Sequence, residues 1–245
     1  MVEFLNRLRY TNSRWQHFPM QFLNDLNEVQ QEAVRTLNGP VMIIAGAGSG
    51  KTRVLTYRIA HLLKCGVPPY EILALTFTNK AANEMKERIM RLVGDQAREL
   101  WMGTFHSVFA RILRREAERI GYTKSFTIYD SDDSLNVVKT CMAELNLSAQ
   151  LVAPQAVRAR ISSAKNRLIF PQQFVEHSSD PFAESVASVY RAYDKALERS
   201  NALDFDDLLI KPIELFRRFP DVLEKYQHRF KFILVDEFQD TNRAQ

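Results

Sequence analysis

Cysteine is nearly absent: the 245-residue chain has only Cys65 and Cys141, too few for a disulfide scaffold, and we expect neither a disulfide nor a zinc centre. Long apolar runs are missing too. No stretch approaches the about eighteen residues of a membrane helix. The opening "MVEFLNRLRYTNSRWQHF" lacks the apolar region and small-residue cleavage site of a secretory signal. The expectation is a cytoplasmic protein without a membrane partner. Charge of one sign is not in large excess: 33 basic residues face 29 acidic ones. A net charge of +4 permits an anionic partner without demanding one. Glycine is scarce, with eight residues, yet three of them crowd between positions 46 and 50.

Around that cluster the chain alternates two patterns. Leu26, Val29, Ala33, Val34 and Leu37 fall at helical spacing, and "NGP" at 38–40 ends that helix. "VMIIA" at 41–45 reads as a short buried strand, followed by a helix over 52–64. "ILALT" at 72–76 is a second strand, and a polar helix over about 80–92 follows, capped by Thr78 or Asn79. "WMGT" at 101–104 reads as a third strand. Phe105, Val108, Phe109, Ile112, Leu113, Ala117 and Ile120 then trace one helical face. Strands alternating with helices predict an α/β fold, a parallel sheet with helices on both faces. Residues 121–199 read as mostly helical, without a further buried strand, and "KFILV" at 231–235 returns to the strand pattern. The expected organisation is an N-terminal extension (1–24, with Arg7, Arg9 and Arg14), a first α/β part (25–120), a helical insertion (121–199) and a return to the α/β domain (200–245).

The stretch "AGAGSGKT" at 45–52 lies between the predicted first strand and the helix after it. A triphosphate needs several N–H donors at close range, and side chains on the loop would obstruct it. Gly46, Gly48 and Gly50 leave the backbone bare and free to take positive φ. Ala45, Ala47 and Ser49 complete the loop, and the helix after it aims its N-terminal dipole at the anion. Lys51 would reach the β- and γ-phosphates of ATP, and the Thr52 hydroxyl would hold Mg²⁺. The strict pattern G-x-x-x-x-G-K-[ST] has glycine where this chain has Ala45. Such a loop needs an acidic partner at the end of another strand, and "FILVDEFQD" supplies one. Asp236 would bind Mg²⁺, Glu237 would take a proton from the attacking water or orient it, and Gln239 and Asp240 would stand one turn further on.

With these blocks in place the chain resembles the UvrD/PcrA/Rep-type superfamily 1A DNA helicases over about residues 24–245. The resemblance rests on "LNEVQQEAV" (26–34), "AGAGSGKT", "LTFTNKAANEM" (75–85), "GTFHS" (103–107), "LDFDDLL" (203–209) and "VDEFQDTN" (235–242), in that order. It implies a RecA-like P-loop NTPase domain with a mostly helical inserted subdomain, and ATP with Mg²⁺ as cofactors. It implies that Gln30 reads the adenine edge with Arg53 nearby, and that Lys51, Glu237 and Gln239 act in hydrolysis. It also implies DNA contacts from Phe77 by stacking and from Asn79, Lys80 and the stretch Thr104, Phe105 and His106. Stacking on an aromatic ring is sequence-tolerant, and polar neighbours can follow a single-strand backbone.

The implied partners are single-stranded DNA and single-strand/duplex junctions, with repair or replication proteins. Arg158, Arg160, Lys165 and Arg167 would give the insertion a basic face. The implied activity is 3′-to-5′ unwinding coupled to ATP hydrolysis. Family members also carry a second RecA-like lobe and later motifs, so this chain is expected to be an N-terminal, ATP-binding part that hydrolyses poorly alone. Two other readings stay open: a truncated, non-enzymatic DNA- or partner-binding module, and the helicase part of a RecB/AddA-like nuclease complex.

Overall fold

A computed structural model describes residues 21–46, 48–148, 150, 152–174 and 181–245. The N-terminal arginines Arg7, Arg9 and Arg14 and the loop residue Ala47 lie outside the described residues. The chain divides into two compact units. The first comprises the described residues up to Thr104 together with Glu224–Gln239. The second comprises Phe105–Leu223 and Asp240–Gln245. The divisions thus fall at 104/105, 223/224 and 239/240.

Unit 1 is an α/β layer structure. Helix α1 (Glu28–Arg35) opens on Asn27, whose side chain accepts from the Gln30 amide while the Gln30 side chain accepts from the Asn27 amide. This reciprocal capping box satisfies two donors that a helix start leaves unpaired. Helix α2 (Lys51–Lys64), strand β1 (Ile72–Thr76), helix α3 (Asn79–Val93) and strand β2 (Trp101–Thr104) follow. Thr78 caps α3 by accepting from Ala81 N at 3.1 Å. Strand β5 (Phe232–Val235) returns from late in the chain, and the sheet order is β2-β1-β5, parallel throughout.

The central strand β1 is buried at all five positions, as a parallel strand covered on both faces must be. By its two-residue period, Ile72 and Ala74 face the cluster built by Ile59, Leu62, Met85, Ile89 and Leu234. Leu73 and Leu75 face the other way and are also buried. Complete burial of such side chains stabilises by about 1.5–3 kcal/mol each before entropy is subtracted. Trp101 is held edge-on by Phe230, with the Arg229 guanidinium 4.8 Å from its ring centre.

Two expectations for unit 1 are corrected. Val29 is 75% exposed rather than a core residue of α1. The run Val41–Ala45 forms no strand, and Met42 and Ile44 are 72% and 89% exposed. A strand exists only through a neighbour's hydrogen bonds. Among the described residues, β5 pairs only with β1, and nothing offers 41–45 a ladder.

Unit 2 is mainly helical: α4 (Phe105–Glu116), α5 (Ser131–Glu144), α6 (Pro154–Asn166), α7 (Pro181–Arg199) and α8 (Asp207–Arg218), with α9 (Pro220–Arg229) beginning in it. Its core brings Val138, Met142, Val157, Ile161, Val189, Tyr190 and Tyr193 together. The residue pattern implies a strand-free middle region, yet β3 (Thr127–Tyr129) pairs in parallel with β4 (Ala202–Asp204). These are three-residue strands, and β3 is exposed to half-buried, so the apolar run that marks a buried strand is missing from it. Helix α4 packs against α8, which draws 105–120 and 200–223 into this unit. No helix among the described residues is long and apolar enough to cross a membrane.

Candidate functional site

The phosphate loop sits where the chain turns into α2. Gly48 and Gly50 take φ of +76° and +87°, the left-handed region that glycine reaches without strain. Gly46 does not need that freedom. At Gly50 an added Cβ would stand 3.1 Å from Gln30 Nε2, because Gln30 donates to the Ser49 carbonyl at 3.0 Å. Gln30 therefore ties the start of α1 to the end of the loop. Ser49 Oγ donates back to the Gly46 carbonyl at 2.6 Å, and Lys51 Nζ donates to the Ala45 carbonyl at 2.9 Å. The ammonium thus bridges the two ends of the loop. Thr52 stands half-buried in the first turn of α2. Arg53 is exposed and lies over the Tyr57 ring at 5.6 Å.

The acidic partner enters from the end of β5. Asp236 N continues the β1–β5 ladder by donating to the Leu75 carbonyl at 2.9 Å. Its carboxyl group is buried and pushed above the usual carboxylate range, first by burial and then by the neighbouring Glu237 charge, while Lys51 draws it back down. Glu237 takes φ +49°, an uncommon value for a side-chain-bearing residue, and accepts a hydrogen bond from Gln239 Nε2. Such outliers concentrate at functional sites.

Side chains of the kind that Mg²⁺ takes are present: the Asp236 carboxylate after a strand end and the Thr52 hydroxyl in the first turn of α2. Among the described residues no group of three or more His, Cys, Asp and Glu side chains could hold a metal alone. Magnesium characteristically takes one or two protein oxygens plus substrate phosphates, and this donor set fits that use. Cys65 lies 3.6 Å from His61 Nδ1, one helical turn away, but the pair has no third ligand among the described residues.

The candidate DNA contacts divide between the units. In unit 1, Phe77 is half-buried rather than a core residue, and Asn79 and Lys80 are exposed at the start of α3. Thr104 closes β2 with its side chain buried. In unit 2, the Phe105 side chain is 2% exposed and packs near Phe109. His106 is half-buried; burial lowers its pKa, partly offset by Asp206.

Two features of unit 2 escape the residue pattern. Phe205, 57% exposed, sets its ring 4.9 Å from the His106 ring. Lys165, expected on a basic face, has a wholly buried side chain that donates to Asp204 and Asp207 at 2.7 Å each. A signal for this exists in the sequence: Val157, Ile161 and Lys165 follow one another at four-residue spacing, so Lys165 continues the apolar stripe of α6.

A phosphate loop on an α/β layer, with a carboxylate at a parallel strand end, defines the class of P-loop nucleotide-binding proteins. Residues 26–245 match the UvrD/REP helicase N-terminal domain, and the chain belongs to that family. It is 52% identical over 224 residues to the ATP-dependent DNA helicase PcrA of Staphylococcus aureus (strain Mu50), covering 91% of this chain and 31% of the relative. Against the PcrA of Bacillus subtilis (strain 168) it is 51% identical over 226 residues, 92% of this chain and 31% of the relative. The PcrA of Staphylococcus epidermidis is 50% identical over 224 residues, again 91% and 31%. The chain thus spans about a third of the length of these relatives.

Proposed function

We propose that this chain is the ATP-binding part of an ATP-dependent DNA helicase, in which hydrolysis is coupled to 3′-to-5′ unwinding in DNA repair or replication. The observation that carries the reading is the pair of left-handed glycine turns at Gly48 and Gly50 that open α2, in the same unit as Asp236, whose amide extends the β1–β5 ladder. The loop amides and Lys51 hold the phosphates, and Gln30 and Arg53 flank the base. Thr52 and Asp236 would hold magnesium, which when bound screens the charge of the phosphate oxygens. Glu237 accepts the proton of the attacking water, held in place by Gln239. Turnover and unwinding belong to the longer protein, with its second lobe.

Single-stranded DNA is the proposed polymer ligand. In unit 1 we assign to it Phe77 for stacking, with Asn79, Lys80 and the Thr104 backbone; in unit 2 we assign Phe205 for stacking, with His106 and the Phe105 backbone. The nucleotide reading is tested by titrating the chain with a fluorescent ATP analogue, with and without Mg²⁺. Magnesium-dependent binding that Lys51→Ala removes is expected. Binding that Lys51→Ala leaves intact would overturn the site assignment.

A further inference from the structure

Phe205 and Asp206 link β4 to α8, and both side chains are engaged on the surface of unit 2. The Phe205 ring meets His106, and the Asp206 carboxylate accepts from Asn166 Nδ2 at 2.8 Å. What holds this turn lies beneath it. Asp204 N donates to Asp207 Oδ2 at 3.1 Å, and Asp207 N donates to Asp204 Oδ1 at 2.8 Å. That reciprocal pair closes around the turn with the bond pattern of a capping box, although the N-cap of α8, Asp206, makes no side-chain capping bond of its own. Lys165 Nζ adds bonds to Asp204 Oδ2 and Asp207 Oδ1, and the Tyr193 hydroxyl donates to Asp204 Oδ2 at 2.8 Å. All four carboxylate oxygens are therefore used.

One buried ammonium serving two buried carboxylates is a poor way to fill a core, since apolar residues of the same volume are often as stabilising. The directional bonds do what apolar packing cannot: they fix where the turn between the two aspartates points. We propose that Lys165, Asp204 and Asp207 are positioning residues that lock the Phe205–Asp206 turn against His106 and thereby set single-strand affinity on this face. The proposal rests on the DNA-binding reading above, but its structural half can be tested without DNA.

The experiment uses the 245-residue chain and two readouts: the NMR shift of the His106 ring proton, and the affinity for a fluorescein-labelled oligothymidylate by anisotropy. Phe205→Ala defines the His106 shift without the neighbouring ring. It also defines the stacking loss, about 5- to 150-fold for about 1–3 kcal/mol. Asp207→Asn keeps the side-chain size and the Lys165 bond but removes the acceptor for Asp204 N. It is expected to retain the far-ultraviolet spectrum, move the His106 resonance toward the Phe205→Ala position, and weaken oligothymidylate binding. Val186→Ala, a fully buried site on α7, reports general loosening and is expected to leave both readouts in place.

An unmoved His106 resonance in Asp207→Asn overturns the proposal, as does an equal movement in Val186→Ala. If the resonance moves and Phe205→Ala weakens binding while Asp207→Asn does not, the link to affinity is overturned. If the resonance moves but Phe205→Ala leaves affinity unchanged, it is the DNA reading of this face that fails.

Discussion

The buried carboxylates of unit 2 make its stability depend on pH in a direction that can be worked out. Asp207 is wholly buried; burial, and then the Asp204 charge, push its pKa from 3.8 up to about 7 against the pull of Lys165 and Lys211. Asp204 goes the other way, held low by Lys165. The groups facing the pair are Lys165 on α6, Tyr190 and Tyr193 on α7, Lys211 on α8 itself, and Tyr122. Because the folded state holds the Asp207 proton more tightly than the unfolded state, its contribution is fully present at low pH. It is lost as pH rises from about 4 through about 7, by about 1.4 kcal/mol per unit. Over that interval of about three units the linkage reaches at most about 4 kcal/mol.

The amide introduced by Asp207→Asn cannot titrate, and it loses the bond from Asp204 N, a roughly constant penalty of about 1 kcal/mol. Asp207→Asn should therefore be less stable than the parent only below about pH 4.5, where the linkage lost is smaller than this penalty, and should gain on the parent steadily as pH rises from about 5 to about 7. The assay is urea unfolding followed by far-ultraviolet circular dichroism between about pH 5 and pH 8. Dichroism is the suitable probe because helices α4–α8 belong to unit 2. His61 and His106, whose pKa values are lowered by burial, add stability as pH rises. The His61 contribution is the same in both proteins and cancels in the difference between the curves, and a change at His106, which faces the Phe205 turn, would act against the Asp207 linkage. A gap that stays constant across this range would refute the linkage.

Glu237→Gln in the longer protein should preserve Mg·ATP affinity and lower steady-state ATP hydrolysis by about 10²- to 10⁴-fold; near-normal turnover would remove Glu237 as the base. Phe77→Ala should weaken single-strand binding of the chain by about 1–3 kcal/mol, read by anisotropy. Gly50→Ala forces a Cβ into a left-handed backbone and against Gln30. It should destabilise the loop by about 1–2 kcal/mol and weaken binding of the fluorescent nucleotide.

Much of the proposed nucleotide site is legible in the sequence because the chemistry assigned to it demands residue types at fixed local spacing. In the proposed site Lys51 and Thr52 follow a glycine loop for reasons of phosphate geometry, and Asp236, just past the end of β5, is the carboxylate paired with them. The Thr78 cap and strands β1, β2 and β5 are legible for the same local reason. Lys165 misleads because a lysine on a helix is usually solvated, and only its place on the apolar stripe of α6 betrays it. The two aspartates that keep it charged lie about forty residues away, Asp204 and Asp207 being separated from it by 39 and 42 positions. Phe205 stands between polar neighbours, so no apolar pattern marks it, and its meaning comes from His106 across unit 2.

Val41–Ala45 shows the same limit from the other side. Its composition is that of a buried strand, and a phosphate loop ordinarily follows one. Yet strand formation is a property of a pair: the amides and carbonyls of 41–45 gain nothing from an extended conformation until another backbone meets them. Helix α2 needs no such partner, because its hydrogen bonds close within fourteen consecutive residues. The loop is consequently anchored on one side by α2 and by the bonds from Gln30 and Lys51. The segment entering it has its apolar side chains exposed at Met42 and Ile44. A loop held in this way keeps its glycine turns, which are set locally, whatever pairs with the segment before it.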